Sequence, residues 1–438
     1  MSTAADPTPP APQTAAGRPH PVALLEGIRV LDFTQALSGP TLTRYLGELG
    51  ADVVKVEVPP GGDITRRSQA VRDGRSGYFV SVNRGKRSIC VDLKTPEGRE
   101  LVTELVPRVD VLVENFSPGT IDRLGFGWEA MSRVNPRLVM CSISGFGQTG
   151  PLSHLPGYDG VAQAYSGVTS MNGELGGPPI VAGAAVGDVL TGVNAVAAVL
   201  GALFWRERTG QGQHVAVSLL DAYLQAHDSS LQSYSVTGGE VVQTRSGRFH
   251  PMACPYGIFA TVDGYLFICA AADRHWRDVC AAMGRPDLAE STHPWGVRAS
   301  REAAKDEVNA FVETWLLGLP SRQAAFELLE RHRVPVGPVH SIDEVATSDA
   351  LRASGSIRTA SDPVLGAIDV AGFPLRFSGA AVAVNDSAEA PFLGEHNHEV
   401  LVGLLGIGEE RYDELVAGGV VSAEAVLPRP SRQRPLLG

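Results

Sequence analysis

The sequence predicts an α/β fold: an open, parallel, Rossmann-like sheet in a large domain, joined to a smaller α+β domain. Three observations carry the prediction. Short apolar runs alternate with helical patterns over the first half of the chain, as strands joined by crossover helices do. Those runs are largely apolar on both sides, as buried parallel strands are. Beyond about residue 225 the texture changes, and a polar, turn-rich stretch leads into a hairpin and several helices.

The elements follow in order. "GIRVLDFT" at 27–34 is the first strand, and "GPTLTRYLGELG" is a helix with Leu42, Leu46 and Leu49 on one face. "ADVVKVE" at 51–57 and "RSICVDL" at 87–93 are the second and third strands. "TPEGRELVTELVPR" starts a helix that tolerates Pro96 in its first turn. "VDVLVENF" at 109–116 and "LVMCSISGFG" at 138–147 are the fourth and fifth strands. A helix then runs from Val189, and its apolar stretch at 193–205 is too short to span a bilayer and reads as a buried core helix. "YGIFATVDGYLFICAAA" reads as a hairpin turning at Asp263-Gly264. Helices follow at 275–283, at 301–317 and over "SRQAAFELLERHR". The resulting plan is a disordered tail at 1–21, a large domain at 22–224, a small α+β domain at 225–345, and a return to the large domain at 346–438.

Composition excludes several functions. With 438 residues, 44% hydrophobic and 19% charged, the chain can bury a large core. A net charge of −11 argues against nucleic acid or an anionic membrane as partner. An anionic ligand therefore needs a local patch. One is present, since eight Arg or Lys stand against two acidic residues between Arg66 and Lys94. Five cysteines without metal-knuckle spacing read as reduced fillers in a cytoplasmic protein. "HNH" at 396–398 lacks further ligands, so no metal is expected. The N-terminus has no signal-peptide core. Neither GxxxxGK[ST] nor GxSxG occurs, so phosphates would meet side chains and irregular loops, and serine-hydrolase chemistry is not indicated.

Two features point to a site. Loops rich in Gly, Pro and polar residues follow the first, fourth and fifth strands: "TQALSGP", "ENFSPGTIDRLG" and "SGFGQTGPLSHLPGYDG". Ligands of open α/β sheets bind at those strand ends. Asp188 stands alone among small and apolar residues in "AAVGDVLTGVN", where it reads as the N-cap of the helix from Val189. Its neighbours Gly183, Ala184, Ala185 and Gly187 are small.

Together, "GIRVLDFTQALSGP", "LGADVVKVE", "GKRSICVDLKTPEGRELV", "VLVENFSPGTIDRLGF", "SISGFGQTGP", "PGYDGVAQAYSG", "GDVLTG" and "ERTGQGQHVAVSLLDA" resemble the class III CoA-transferases, of the formyl-CoA and carnitine CoA-transferase type. The resemblance is ordered and nearly continuous from about residue 27 to 222, and looser through "HPMACPYGIFATVDG" and "LGEHNHEVL". It implies an interlocked-ring homodimer. In that dimer the CoA site lies between the large domain of one subunit and the small domain of the other. It implies an acyl-CoA thioester as substrate, a carboxylic acid as acceptor, no permanently bound cofactor, and Asp188 as covalent nucleophile. It further implies that Leu37, Ser38, Lys94, Asn115, Phe116, Arg123 and Tyr158 contact CoA, and that Gln35 and His250 belong to the acyl pocket. A carboxylate at a helix N-terminus stays ionised and finds N–H groups for developing oxyanions, which suits that role.

The chain departs from formyl-CoA transferase at two places. Leu37 stands where that enzyme has glutamine, and "RFHPMACPYG" replaces its glycine-rich loop. An acid larger than formate or oxalate is expected. The alternative reading is an α-methylacyl-CoA racemase-like isomerase, which needs a His–Asp pair to move the α-proton. Tyr158 occupies the His position. A tyrosine hydroxyl titrates near pH 10 in water, about three units too high for a base at neutral pH.

Overall fold

The computed structural model describes residues 23–227, 229–383 and 388–424; the expected tail at 1–21 lies outside them. The chain divides into two compact units. Of the described residues, one comprises those from 23 to 142, from 195 to 215 and from 355 to 424, the other those from 143 to 194 and from 216 to 354. Residues 143–194 and 216–224, grouped with the large domain in the sequence plan, thus belong to the second unit. No break in composition marks those crossings, whereas the turn-rich stretch beyond 225 draws the eye.

Six strands form the main sheet: β1 (Arg29–Asp32), β2 (Asp52–Glu57), β3 (Arg87–Cys90), β4 (Val111–Glu114), β5 (Val139–Ser144) and β6 (Gln213–Ser218), in the order β3-β2-β1-β4-β5-β6. The pairings from β3 through β5 are all parallel, with Leu31 beside Val54 on one side and Leu112 on the other. Strand order reverses between β1 and β4, so the loops after these strands diverge and open a crevice at their carboxyl ends. Helix α1 (Ser38–Glu48) follows β1. Helix α2 (Pro96–Leu105) follows β3, its first turn capped by the Thr95 hydroxyl, which accepts the Gly98 N–H.

The core of this unit joins distant parts of the sequence. Leu31, Val54, Ile89, Leu112 and Met140 from the strands pack with Val400, Leu401, Leu415 and Val421 from the C-terminal segment. The "HNH" stretch pins that segment to the sheet edge. His396 Nδ1 accepts the Ser88 N–H, Asn397 joins the Cys90 N–H to the Ser422 carbonyl, and His398 meets Glu409. All three residues therefore have structural partners.

Buried charges lie beneath the strand ends. Lys55 is fully buried, pairs with Asp63 at 2.9 Å and donates to the Thr34 carbonyl at 2.6 Å. Asp32 accepts Lys86 at 3.0 Å; burial pushes its carboxyl up, but Lys86 and Lys55 outweigh that and hold it at about 2. Arg66 pairs with Glu57 through two hydrogen bonds. Removing one partner of such a pair leaves a buried, uncompensated charge. Lys55→Met is expected to cost about 3–5 kcal/mol, read as a lowered urea midpoint at unchanged slope.

In the second unit the predicted hairpin forms from β7 (Tyr256–Thr261) and β8 (Gly264–Cys269), and β9 (Val336–Pro338) adds a third antiparallel strand. Thr261 pairs with Gly264, so the turn is Val262–Asp263 rather than Asp263-Gly264. Phe259, Leu266, Trp276, Val312 and Leu329 form its core. The helix expected at 301–317 is two, Arg298–Ala303 and Lys305–Leu317.

Candidate active site

The loop after β1 is held in an unusual shape. Asp32 accepts both the N–H and the hydroxyl of Thr34, Ala36 has φ +65°, and a Cβ on Gly39 would stand 2.3 Å from Thr34 Cβ. Asn115, from the loop after β4, grips the same turn. Its amide donates to the Gln35 carbonyl at 2.7 Å, and its oxygen accepts the Gln35 N–H at 2.8 Å. One side chain thereby ties the two loops that flank the crevice.

Between them lies a pocket of about 820 Å³, its open mouth included, lined by Phe33, Gln35, Val58, Lys94, Phe116 and neighbouring residues. Most of the wall is apolar, with Lys94 exposed at the rim. Three of the residues assigned from sequence therefore meet here: Gln35, Lys94 and Phe116. Asn115 braces the wall. Leu37 and Ser38 start α1 without lining the pocket. Arg123 is exposed and donates to the Thr120 hydroxyl.

The basic patch is largely spent elsewhere. Arg66, Arg75, Arg84, Lys86 and Arg87 pair with Glu57, Asp362, Glu48, Asp32 and Asp52. Counting charge along the sequence missed this because four of those carboxylates lie before Arg66 in the chain and one lies far beyond Lys94. Lys94, by contrast, has no ion pair among the described residues and can meet an anion.

Beneath Phe116, Glu114 is 1% exposed, and its Oε2 accepts the Phe116 N–H at 2.8 Å. Burial pushes its carboxyl up to about 7, against the pull of hydrogen bonds from Ser142 and Phe116. The sign of the pH effect follows. Its ionisation opposes folding progressively from about pH 4.5, where the unfolded chain ionises, to about pH 7. Glu114→Gln is therefore expected to stabilise the protein at pH 8 by up to about 3 kcal/mol and to change little at pH 4. Urea unfolding at the two pH values measures it.

The second unit contains Asp188. The helix α3 (Asp159–Tyr165) precedes it, and α4 (Val186–Thr209) carries it. Helix α4 begins three residues before the sequence reading placed it, so Asp188 is the third residue of the first turn and not the N-cap. Asp159 takes over the capping: its Oδ1 accepts the Asp188 N–H at 3.0 Å. Tyr223, on α5 (Leu219–Gln225), is 2% exposed, and its hydroxyl donates to the same carboxylate at 2.9 and 3.0 Å. Burial, with the hydrogen bond to Asp159, raises the Tyr223 phenol, so it stays a donor. Gln163 Nε2 donates to the Tyr223 oxygen at 3.3 Å.

The same ring explains Gly187. A Cβ there would lie 2.1 Å from Tyr223 Cε2, so only glycine fits. Gly183, in contrast, has nothing within 4 Å of a built Cβ. Asp159, Gln163 and Tyr223 were not singled out from sequence. The one available signal was Asp159 directly after Tyr158 in "PGYDG".

Tyr158 precedes α3 and is 73% exposed. His250 stacks on Tyr256 with centroids 4.8 Å apart, and its Nδ1 accepts the Met252 N–H at 3.1 Å. Helix α4 is not the wholly buried helix expected. Ala195, Val199 and Ala202 are buried, but Val193, Phe204 and Trp205 are exposed. By length and composition its 24 residues could cross a membrane. All five cysteines are free. Burial pushes the Cys254 and Cys280 thiols up to about 12, so neither is a nucleophile at neutral pH.

The profile of CoA-transferase family III matches residues 25–397. A formyl-CoA:oxalate CoA-transferase of Streptomyces coelicolor is 39% identical over 91% of this chain and 99% of its own. The succinyl-CoA:glutarate CoA-transferase of Mus musculus is 35% identical over 91% and 90%. The crystal structure of a CAIB/BAIF family protein from Brucella suis superposes with a TM-score of 0.77 at 33% identity, over 88% of this chain and all of that one.

Proposed function

The chain belongs to CoA-transferase family III, and from that premise we propose that it moves CoA from an acyl-CoA to an acceptor acid through covalent intermediates on Asp188. The observation that carries this reading is the first turn of α4. There the Asp159 carboxylate accepts the Asp188 N–H, which holds the start of the helix and places Asp188 in its first turn. The Asp188 carboxylate attacks the thioester carbon, and CoA leaves as thiolate, giving an aspartyl–acyl anhydride. The thiolate attacks the aspartyl carbonyl and expels the first acid, giving an aspartyl-CoA thioester. The acceptor carboxylate attacks that thioester and frees the thiolate. The thiolate then attacks the acceptor's acyl carbon, and Asp188 regains its carboxylate. Every step exchanges one acyl bond for another, so no redox partner is needed. N–H groups of the first helical turn favour the developing oxyanions.

The pocket at the carboxyl ends of β1, β2 and β4 takes the CoA moiety. Its apolar wall suits pantetheine and adenine, and Lys94 meets a phosphate. Leu37, Ser38, Asn115, Phe116, Arg123 and Tyr158 serve the same ligand, and Gln35 and His250 the acyl group. The acid is larger than formate or oxalate, because Leu37 offers no polar group where formyl-CoA transferase has one. The protein acts as an interlocked homodimer. Exposed Val193, Phe204 and Trp205 on α4 support an apolar contact between copies. The buried residues of that helix, with the Arg206–Asp110 ion pair, favour a core helix over a membrane span. Five free thiols support a cytoplasmic location.

The test is a panel of acyl-CoAs and acids followed by chromatography of the CoA esters. A new thioester that forms only when both are present supports transfer. Exchange of α-protons into deuterated water with no acceptor would instead support the racemase alternative. Light scattering then tests the assembly, with twice the 46.2 kDa chain mass expected.

A further inference from the structure

Glu114 is buried at the end of β4 and has no part in the chemistry above. No Lys or Arg pairs with it among the described residues. Its partners are the Phe116 N–H and the Ser142 hydroxyl, and Asp122 adds a repulsive charge. Ser142, on β5, lies 2.9 Å through its Oγ from Nε2 of His214 on β6. The His214 ring stacks on Trp128 with centroids 6.0 Å apart. Burial holds the His214 imidazole below its ordinary range. A neutral His214 bearing its proton on Nε2 donates to Ser142, which donates to Glu114. Cys141, also on β5, is kept as a thiol by burial and by the Glu114 charge. A line of hydrogen bonds thus runs from an exposed imidazole to the acid beneath Phe116, a wall residue of the pocket.

We propose that Glu114 is a positioning residue for the pocket: a proton-linked latch, tuned through Ser142 and His214, that holds the Phe116 loop when ionised and loosens it when protonated. A charged acceptor binds an N–H roughly twice as strongly as a neutral one. The Phe116 N–H is therefore held firmly in one protonation state and weakly in the other. The acid titrates near neutrality, so modest acidification moves it between them. The consequence for ligand rests on the pocket being the CoA site; the latch itself does not.

Two measurements on the full-length protein separate these claims. The first is hydrogen exchange of the 115–119 segment between pH 5.5 and 8.5, corrected for intrinsic rates. Wild-type protection is expected to fall about tenfold on acidification, with charge-assisted hydrogen bonding lost. Glu114→Gln is expected to show low protection at both ends. Ser142→Ala removes a donor to the ionised acid, so its midpoint is expected at higher pH. A Glu114→Gln profile equal to wild type, or a wild-type profile without pH dependence, overturns the latch. The second is calorimetric titration with CoA. The wild-type to Glu114→Gln affinity ratio is expected to be about ten at pH 8.5 and about one at pH 5.5, and the titration of CoA's own phosphates cancels in that ratio. A ratio constant with pH overturns the coupling to ligand. Failure of wild type to bind CoA at any pH contradicts the CoA reading of the pocket, and the exchange experiment still decides the latch.

Discussion

Asp188→Ala is expected to lower kcat for CoA transfer by at least about 10³-fold while CoA affinity stays within a few-fold. Removing a covalent nucleophile eliminates the bonds through which every step passes. The substitution should hardly touch stability. Asp188 is half-buried, and the cap that its neighbourhood needs comes from Asp159, whose carboxylate accepts the Asp188 N–H. A first-turn carboxylate contributes about 0.3–1 kcal/mol through the helix dipole. Steady-state kinetics, calorimetry with CoA and a urea titration measure the three quantities. Were Asp188 a helix-stabilising residue and nothing more, stability would fall and turnover would not.

Gly187→Ala is the second large effect. The added methyl would stand 2.1 Å from a Tyr223 ring that is itself buried. Either the ring or the helix start must move. If Tyr223 moves, its hydroxyl leaves Asp159, and the carboxylate that fixes the Asp188 N–H loses its second anchor. The expected result is a loss of about 1–3 kcal/mol in stability from overpacking and about 10²-fold in kcat from displacement of the nucleophile. Combining it with Tyr223→Ala relieves the clash. Tyr223→Ala opens a cavity of its own, so the two stability losses are expected to be less than additive, while kcat stays low because Asp159 still lacks its donor. Recovery of kcat in the double variant would make the tyrosine only a packing residue.

The parts of the fold that were legible in the sequence are those set by local pattern. The strands at 27–34, 51–57, 87–93, 109–116 and 138–147 were visible as short apolar runs between helical segments, and the parallel sheet follows from that alternation. The matching of motifs to the family singled out Asp188, Gln35, Lys94 and Phe116. Non-local features were hidden. The five basic residues between Arg66 and Lys94 that end in ion pairs find their carboxylates outside that stretch. Asn115 meets Gln35 across 80 positions and Tyr223 meets Asp159 across 64. Periodicity reports the face a residue occupies and says nothing of its partner on another element. Gly187 illustrates the same limit. Its smallness reads from sequence as room for substrate, and in the fold it is room for Tyr223.

Asp188 also shows how one sequence signal can serve two meanings. Aspartate before an apolar helix reads as a cap, and the helix has a cap, but another residue provides it.

The measurement that tests covalent catalysis at Asp188 most directly is mass spectrometry of the protein incubated with a panel of acyl-CoAs and trapped with hydroxylamine or borohydride. Modification at Asp188 is expected, absent in Asp188→Ala, and seen only with those acyl-CoAs that support transfer. Continued turnover by Asp188→Ala, with wild type unmodified by acyl-CoAs that it converts, would contradict it.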